Sequence, residues 1–154
     1  LDLTRMADNC IILLPDALDT LPLSIEWMCL YMAQYPSAQA MLHKELDEVV
    51  GQGRDPTLKD KTSLNYLEAC IHETFRVANI IPSLFAHTVE RDVKLAGYTI
   101  PKGASIYGNT QCIHKDPALF PNPDEFRPER HLDENGRFVP SQHILPFGVG
   151  KPLQ

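Results

Sequence analysis

Four places in the sequence set side chains at spacings that could do chemistry. Glu73 and Arg76 stand three apart in a helix-forming stretch, so they share a face and can pair. That pair is either a solvated surface bridge or, with apolar Ile71 and Phe75 beside it, a partly buried one. A buried guanidinium needs several partners to offset its desolvation, and Arg is suited to be such a hub. Phe126-Arg127-Pro128-Glu129-Arg130-His131 puts two arginines round one glutamate in a proline-stiffened loop. It could dock onto a carboxylate such as Glu73, or be a charged surface turn. In Pro146-Phe147-Gly148-Val149-Gly150-Lys151 two glycines separated by one residue let the backbone pass close to something flat. A plain turn is the alternative, and the strand-then-helix context of a nucleotide loop is missing. Asp19-Thr20 sets an acid beside a hydroxyl within a proline-interrupted helix. Asp and Thr often sit where a helix is interrupted, bonding local backbone.

The elements that must hold these groups are helical first and irregular later. Leu3, Met6, Cys10 and Leu14 fall on one stripe of a helix predicted over about 1–34, bent or broken around Pro15 and Pro22. Pro36 suits the first turn of a second helix over 36–50 that Gly51 ends, with Ala38, Met41, Leu42, Leu46 and Val49 as its apolar face. The charges Lys44, Glu45, Asp47 and Glu48 lie mostly on its other side. Ser63 is a candidate cap for a third helix over 63–77, whose stripe is Leu64, Leu67, Ile71 and Phe75. Val93–Leu95 and Tyr98–Ile100 flank Ala96-Gly97 and read as a hairpin, and a further short strand follows near Ser105–Gly108. A brief helical turn is expected at Pro117–Phe120, and a proline-rich meander from 121 to 154. So long an irregular stretch in a compact domain needs something to hold it against the body.

Composition narrows the function classes. A chain of 154 residues with 44% hydrophobic and 22% charged residues is an ordinary globular domain, not a disordered one. A net charge of −6 gives no basic field for nucleic acid. The longest apolar run, Trp27 to Ala33, is far short of the ~20 residues of a membrane span. Cys10, Cys29, Cys70 and Cys112 are too widely spaced for a zinc or redox pair and are read as reduced core residues.

Taken in order, Asp-Thr in a long helix, Glu-x-x-Arg, Pro-Glu-Arg and Pro-Phe-Gly-x-Gly-Lys closely resemble the haem-thiolate monooxygenases, the cytochrome P-450 family. The connecting phrases Gly97-Tyr98-Thr99-Ile100-Pro101-Lys102-Gly103 and His114-Lys115-Asp116-Pro117, leading to Phe120-Pro121-Asn122-Pro123, resemble it too. The resemblance runs from about Leu3 to Lys151 and implies a single partial P-450 domain over 1–154. That domain would be mainly α, with a small β-hairpin region and a long meander. It also implies that Asp19 and Thr20 are the proton-delivering acid–alcohol pair. Glu73, Arg76 and Arg130 would form a structural ion triad, His87 would bond a haem propionate, and Phe147, Gly148 and Gly150 would form the loop beneath the haem. Ile80 to Phe85 would be a substrate-contacting stretch.

The family function implied is insertion of one oxygen atom from O2 into a hydrophobic substrate. The cofactor would be haem, with electrons from NADPH through a partner reductase. The parent protein would sit at the cytosolic face of the endoplasmic reticulum membrane. The sequence departs from the pattern in three places. The acid–alcohol motif opens with Asp16 and Ala17 and is followed by Pro22, where small residues are usual at its start. Laid on Phe147 and Gly150, the family's propionate-binding arginine falls on Pro152 and its axial cysteine on Gln154. No metal ligand is therefore expected at that position. With Leu1 in place of an initiating Met, this predicts a piece of a longer protein, diverted just before its key ligand. A catalytically inactive truncated or splice product, or a non-catalytic module that binds the reductase, is the alternative. A haem face built from one side would leave a large apolar patch exposed.

Overall fold

A computed structural model describes residues 2–146, apart from the side chains of residues 12 and 15–17. The expected glycine loop at Phe147, Gly148 and Gly150, together with Pro152 and Gln154, lies outside the described residues. The chain opens with α1 (Leu3–Gln34), whose first turn is capped by Asp2, Oδ1 accepting from Thr4 N at 3.1 Å. At ~1.5 Å per residue α1 is about 48 Å long. It runs unbroken through Pro15 and Pro22, so of the expected bend or break the break is absent. A proline forfeits one N–H and crowds one carbonyl, yet the ladder resumes within a turn among helix-forming neighbours.

Tyr35 alone joins α1 to α2 (Pro36–Val49), and Pro36 occupies the first turn of α2, where its missing N–H costs nothing. Gly51, at φ +72°, ends α2 by donating its N–H to Leu46 O at 3.1 Å. After a 3₁₀ turn (Asp60–Ser63) comes α3 (Asn65–Ala78). Ser63 does not cap it; it closes the 3₁₀ turn instead. The free N–H groups of Tyr66 and Leu67 are met by the two oxygens of Glu45, at 2.7 and 2.9 Å, from across on α2.

The β part is two small antiparallel pairs. β1 (His87–Thr88) pairs with β4 (Ser105–Ile106), and β2 (Val93–Leu95) pairs with β3 (Tyr98–Ile100), Leu95 facing Tyr98. The short helix α4 (Thr110–His114) follows, capped by Asn109. It sits before the expected Pro117–Phe120 turn, which is present as a bend closed by Phe120 N on Asp116 O at 2.8 Å. Beyond it the meander carries one 3₁₀ turn (Pro128–His131).

The core joins the C-terminal end of α1 to α2, α3 and the meander through Tyr31, Met32, Ala38, Leu42, Tyr66, Cys70 and Phe126. Tyr31 stacks on Phe126 with ring centroids 4.6 Å apart, so the meander contributes an aromatic wedge to a helical core. The N-terminal stripe of α1 packs on nothing described: Leu3 and Leu14 are 72% and 63% exposed. Of the cysteines Cys70 is buried, while Cys10, Cys29 and Cys112 are exposed, so the core role holds for one of the four. Wide spacing excluded metal and redox pairs but carried no information on burial, and Cys10, Cys29 and Cys112 fall on outward faces of α1 and α4.

The β2–β3 turn runs through Ala96 at φ +48° and Gly97 at φ +86°. Glycine adopts that geometry freely, whereas an alanine Cβ there costs about 1–2 kcal/mol. Ala96→Asn, which tolerates the left-handed region, is expected to raise the thermal midpoint by stabilising the fold about 0.5–1 kcal/mol. An unchanged or lower midpoint in differential scanning calorimetry would show that Ala96 carries no such strain.

Candidate functional site

Helix α3 packs mainly by a face other than its apolar stripe. Of the predicted stripe, Leu64 is buried and Leu67, Ile71 and Phe75 are half-buried, while the face bearing Tyr66, Ala69, Cys70, Glu73, Thr74 and Arg76 is buried. Glu73 and Arg76 are each 0% exposed. They can be so because every polar atom of the pair is used. Arg76 Nε and Nη2 donate to the two Glu73 oxygens at 2.9 and 2.8 Å. Its remaining N–H groups reach the carbonyls of His114 at 2.8 Å, Pro123 at 2.7 Å and Glu125 at 3.1 Å. All five donors of the guanidinium are thereby satisfied, three of them by the loop that the helix must hold.

Arg130 brings a second guanidinium to the same carboxylate, Nε to Glu73 Oε1 at 2.9 Å, and donates to Pro121 O at 3.1 Å. Glu73 also accepts from Arg127 N at 3.0 Å and from His131 Nε2 at 2.8 Å. His131 lay in the quoted loop without an assigned part; its adjacency to Arg130 in a proline-stiffened turn was the available signal. Phe120 lies under Arg76, its ring centroid 5.0 Å from Cζ. Glu129, between the two loop arginines, turns the other way and accepts from Tyr66 Oη at 2.7 Å. Burial pushes the Glu73 carboxyl up, but the hydrogen bonds of Arg76 and His131 outweigh it and hold it down at about 2.

The other side of α3 faces α1. Thr20, Ser24, Phe75, Asn79, Ile80, Ile81 and Pro146 line a cavity of about 40 Å³. Next to it an almost wholly apolar groove of about 330 Å³ runs between α1 and α3, lined by Leu21, Ile25, Met28, Ile71 and Phe75 among others. Thr20 is half-buried at this cavity, and its carbonyl accepts from Ser24 Oγ at 2.7 Å. Asp19, one position away on the helix, is exposed. His87 is exposed in β1, opposite Ile106. Ile80 and Ile81 reach the cavity, whereas Phe85 is 81% exposed. The structure thus brings Glu73, Arg76 and Arg130 together, sets Thr20 on a cavity edge, and leaves Asp19 and His87 at the surface. Glu45, the cap of α3, had no local signal, since its partners lie 21 and 22 residues on.

The cytochrome P450 family model matches residues 1–152. Cytochrome P450 2L1 of Panulirus argus is 39% identical over 133 residues, which is 86% of this chain and 27% of that protein. Cytochrome P450 2U1 of Homo sapiens is likewise 39% identical, over 86% of this chain and 24% of its own length. Cytochrome P450 2J3 of Rattus norvegicus reaches 43% over 86% of this chain and 26% of its own. The chain belongs to the cytochrome P450 family, and its mainly helical architecture with a small antiparallel β region is a partial form of that fold. It spans about a quarter of the length of these curated relatives.

Removing the hub carboxylate strands two guanidiniums. Glu73→Ala is therefore expected to cost about 3–5 kcal/mol and Arg130→Ala about 1–3, while Glu48→Ala, an exposed pair with Lys44, stays within about 0.5. Equal urea midpoints for the three would show that the hub carries no load.

Acid acts in the same direction through two buried groups of this network, Glu73 and His114. Glu73 titrates at about 2 in the fold against an ordinary 4.5, so its contribution is complete above pH 4.5 and lost as pH falls towards 2. His114 is held below its ordinary 6.5 by burial and then by Arg76, so its contribution is complete above 6.5 and fades below it. Stability should therefore fall from pH 6.5 downward, with a second, steeper loss below 4.5 that Glu73→Gln reduces. A flat profile across both windows would contradict this.

Proposed function

We propose that this sequence serves in a haem-dependent monooxygenase that inserts one oxygen atom from O2 into a hydrophobic substrate. Within it, the chain supplies the α1–α3 wall of the haem-facing cavity and the clamp that holds the meander. The observation that carries the reading is the way α3 packs. Its charged face grips the loop, which leaves Ile71 and Phe75 to build an apolar wall with α1. That wall, extended by Ile80 and Ile81, fits a flat apolar macrocycle and an apolar substrate.

The donor set of the described residues does not complete such a site. Cys70 is buried, and burial followed by the nearby carboxylates pushes its thiol up to about 12, so it is no thiolate. The register of the family's axial cysteine falls on Gln154 and that of its arginine on Pro152. The chain by itself is read as keeping the scaffold without the iron ligand, and catalysis needs a sulfur donor it does not supply at that position.

When bound, haem supplies the redox chemistry of O2 activation. The chain's own part is to shape and protonate. Thr20, at the cavity edge, would hold a proton donor in place, with Asp19 exchanging protons with solvent. The His87 side chain would donate to a propionate, and Phe147, Gly148 and Gly150 would let the loop pass close beneath the ring. NADPH-derived electrons would come through a partner reductase. Among the described residues no helix is long and apolar enough to cross a membrane. Residence at the cytosolic face of the endoplasmic reticulum would therefore rest on parts of the parent protein other than the described helices.

The test is the reduced, carbon-monoxide-bound absorption spectrum of the 154-residue chain after haem addition. The unaltered chain is expected to give free-haem or imidazole-type absorption. Gln154→Cys combined with Pro152→Arg is expected to give a red-shifted thiolate band. A thiolate band from the unaltered chain would mean that one of the existing cysteines is recruited, against the ligand reading. Its absence from the double variant would overturn the assignment of this wall to haem.

A further inference from the structure

Asn79 closes α3 in the left-handed region, at φ +41°, and is 91% buried by its 9% exposure. The orientation of its amide is fixed by a chain of hydrogen bonds that begins in the meander. Leu145 N–H donates to His114 Nε2 at 3.1 Å, so that nitrogen is the acceptor of the ring. The imidazole is kept neutral by burial and by Arg76, hence its one proton is on Nδ1. Nδ1–H must then face an acceptor, and the group 3.0 Å away is Asn79 Oδ1. Thr110 Oγ1 lies 3.2 Å from the same oxygen. A flipped amide would set N–H against N–H, so Nδ2 is forced to the other edge of the side chain. There no group among the described residues accepts from it.

A buried donor left without a partner costs about 1–3 kcal/mol, and native structures relieve such a cost with an ordered water where one fits. Asn79 lines the cavity of about 40 Å³ that Thr20 and Ser24 also line. One water needs about 10–15 Å³ by this measure and two or more polar partners. Ser24 Oγ spends its proton on Thr20 O at 2.7 Å, so its lone pairs remain to accept. We propose that this cavity is a water site in which the water accepts from Asn79 Nδ2 and donates to Ser24 Oγ. Asn79 is thus the positioning residue for a buried water beside Thr20. The site itself needs no haem; its bearing on proton delivery at Thr20 rests on the reading above.

The experiment uses the full chain without haem, so its outcome is separate from that of the carbon-monoxide spectrum. In ¹⁵N-labelled protein, water–amide cross-relaxation is measured at the Asn79 side-chain amide, identified as the pair lost in Asn79→Asp. The expected result is a cross-peak at the water frequency with the sign of a long-lived bound water. In Ser24→Ala, a change that favours the helix, the peak is expected to weaken at least about twofold. A wild-type amide without a water cross-peak overturns the site, and a peak unchanged in Ser24→Ala overturns its assignment to Ser24. A crystal structure gives the same decision independently. Density within ~2.7–3.2 Å of both Nδ2 and Ser24 Oγ supports the site, and an empty cavity refutes it.

Discussion

The carboxylate of Glu73 is the point on which the rest of the structure depends. A proline-rich meander lacks N–H groups at its prolines and, among the described residues, pairs at a single antiparallel bridge, Leu132 with Phe138, so its other inward-facing carbonyls need donors from elsewhere. Arg76 and Arg130 provide them, reaching the carbonyls of Pro121, Pro123 and Glu125, and Arg76 also holds the carbonyl of His114 at the end of α4. Two guanidiniums cannot be taken out of water uncompensated, and Glu73 is the anion that allows it. The carboxylate in turn stays ionised at zero exposure because five hydrogen bonds from four residues converge on it. Each half satisfies buried polar groups of the other, which ties α3 to the meander.

That arrangement decides what the remaining surface of α3 can be. With the charged face turned into the protein, Ile71 and Phe75 are left to line the groove and cavity against α1. A helix packed by its apolar stripe would have hidden those residues in its own core and left no wall for a ligand. The aromatic stack of Trp27, Tyr31 and Phe126 at the far end of α1 ties the same helix to the meander, so the wall is braced from two directions. The separation of a charged clamp from an apolar face thus follows here from the direction in which one carboxylate points.

Much of this was legible in the sequence where the signal is local. The helical periods, Pro36 at the start of α2, Gly51 at its end and the Ala96-Gly97 hairpin all express constraints within a few residues. The order of Glu-x-x-Arg and Pro-Glu-Arg pointed to the long-range meeting of Glu73 with Arg130, through resemblance and not through spacing. What was not legible depends on partners far along the chain. Glu45 looked like one more solvated charge on α2, because the N–H groups it caps belong to a different helix. The apolar stripe of α3 misdirected the burial assignment, since hydrophobic period assumes that charges face water. Pro15 and Pro22 argued for a bend or a break, and the surrounding helix formers override the break.

His114 shows how the clamp and the cavity are joined. Its carbonyl accepts from Arg76, while its ring accepts from Leu145 and donates to Asn79. One buried residue therefore takes its position from the Glu73 hub and passes it to the residue that closes α3 at the cavity. The linkage works in one protonation state. A second ring proton would oppose the Leu145 N–H at Nε2, and it would sit beside a guanidinium that already repels it. The same electrostatics that anchor the meander thus keep this imidazole neutral, and a neutral imidazole is what orients Asn79. The geometry beside Thr20 is in this sense set from the opposite face of α3, by the charge balance round a single buried carboxylate.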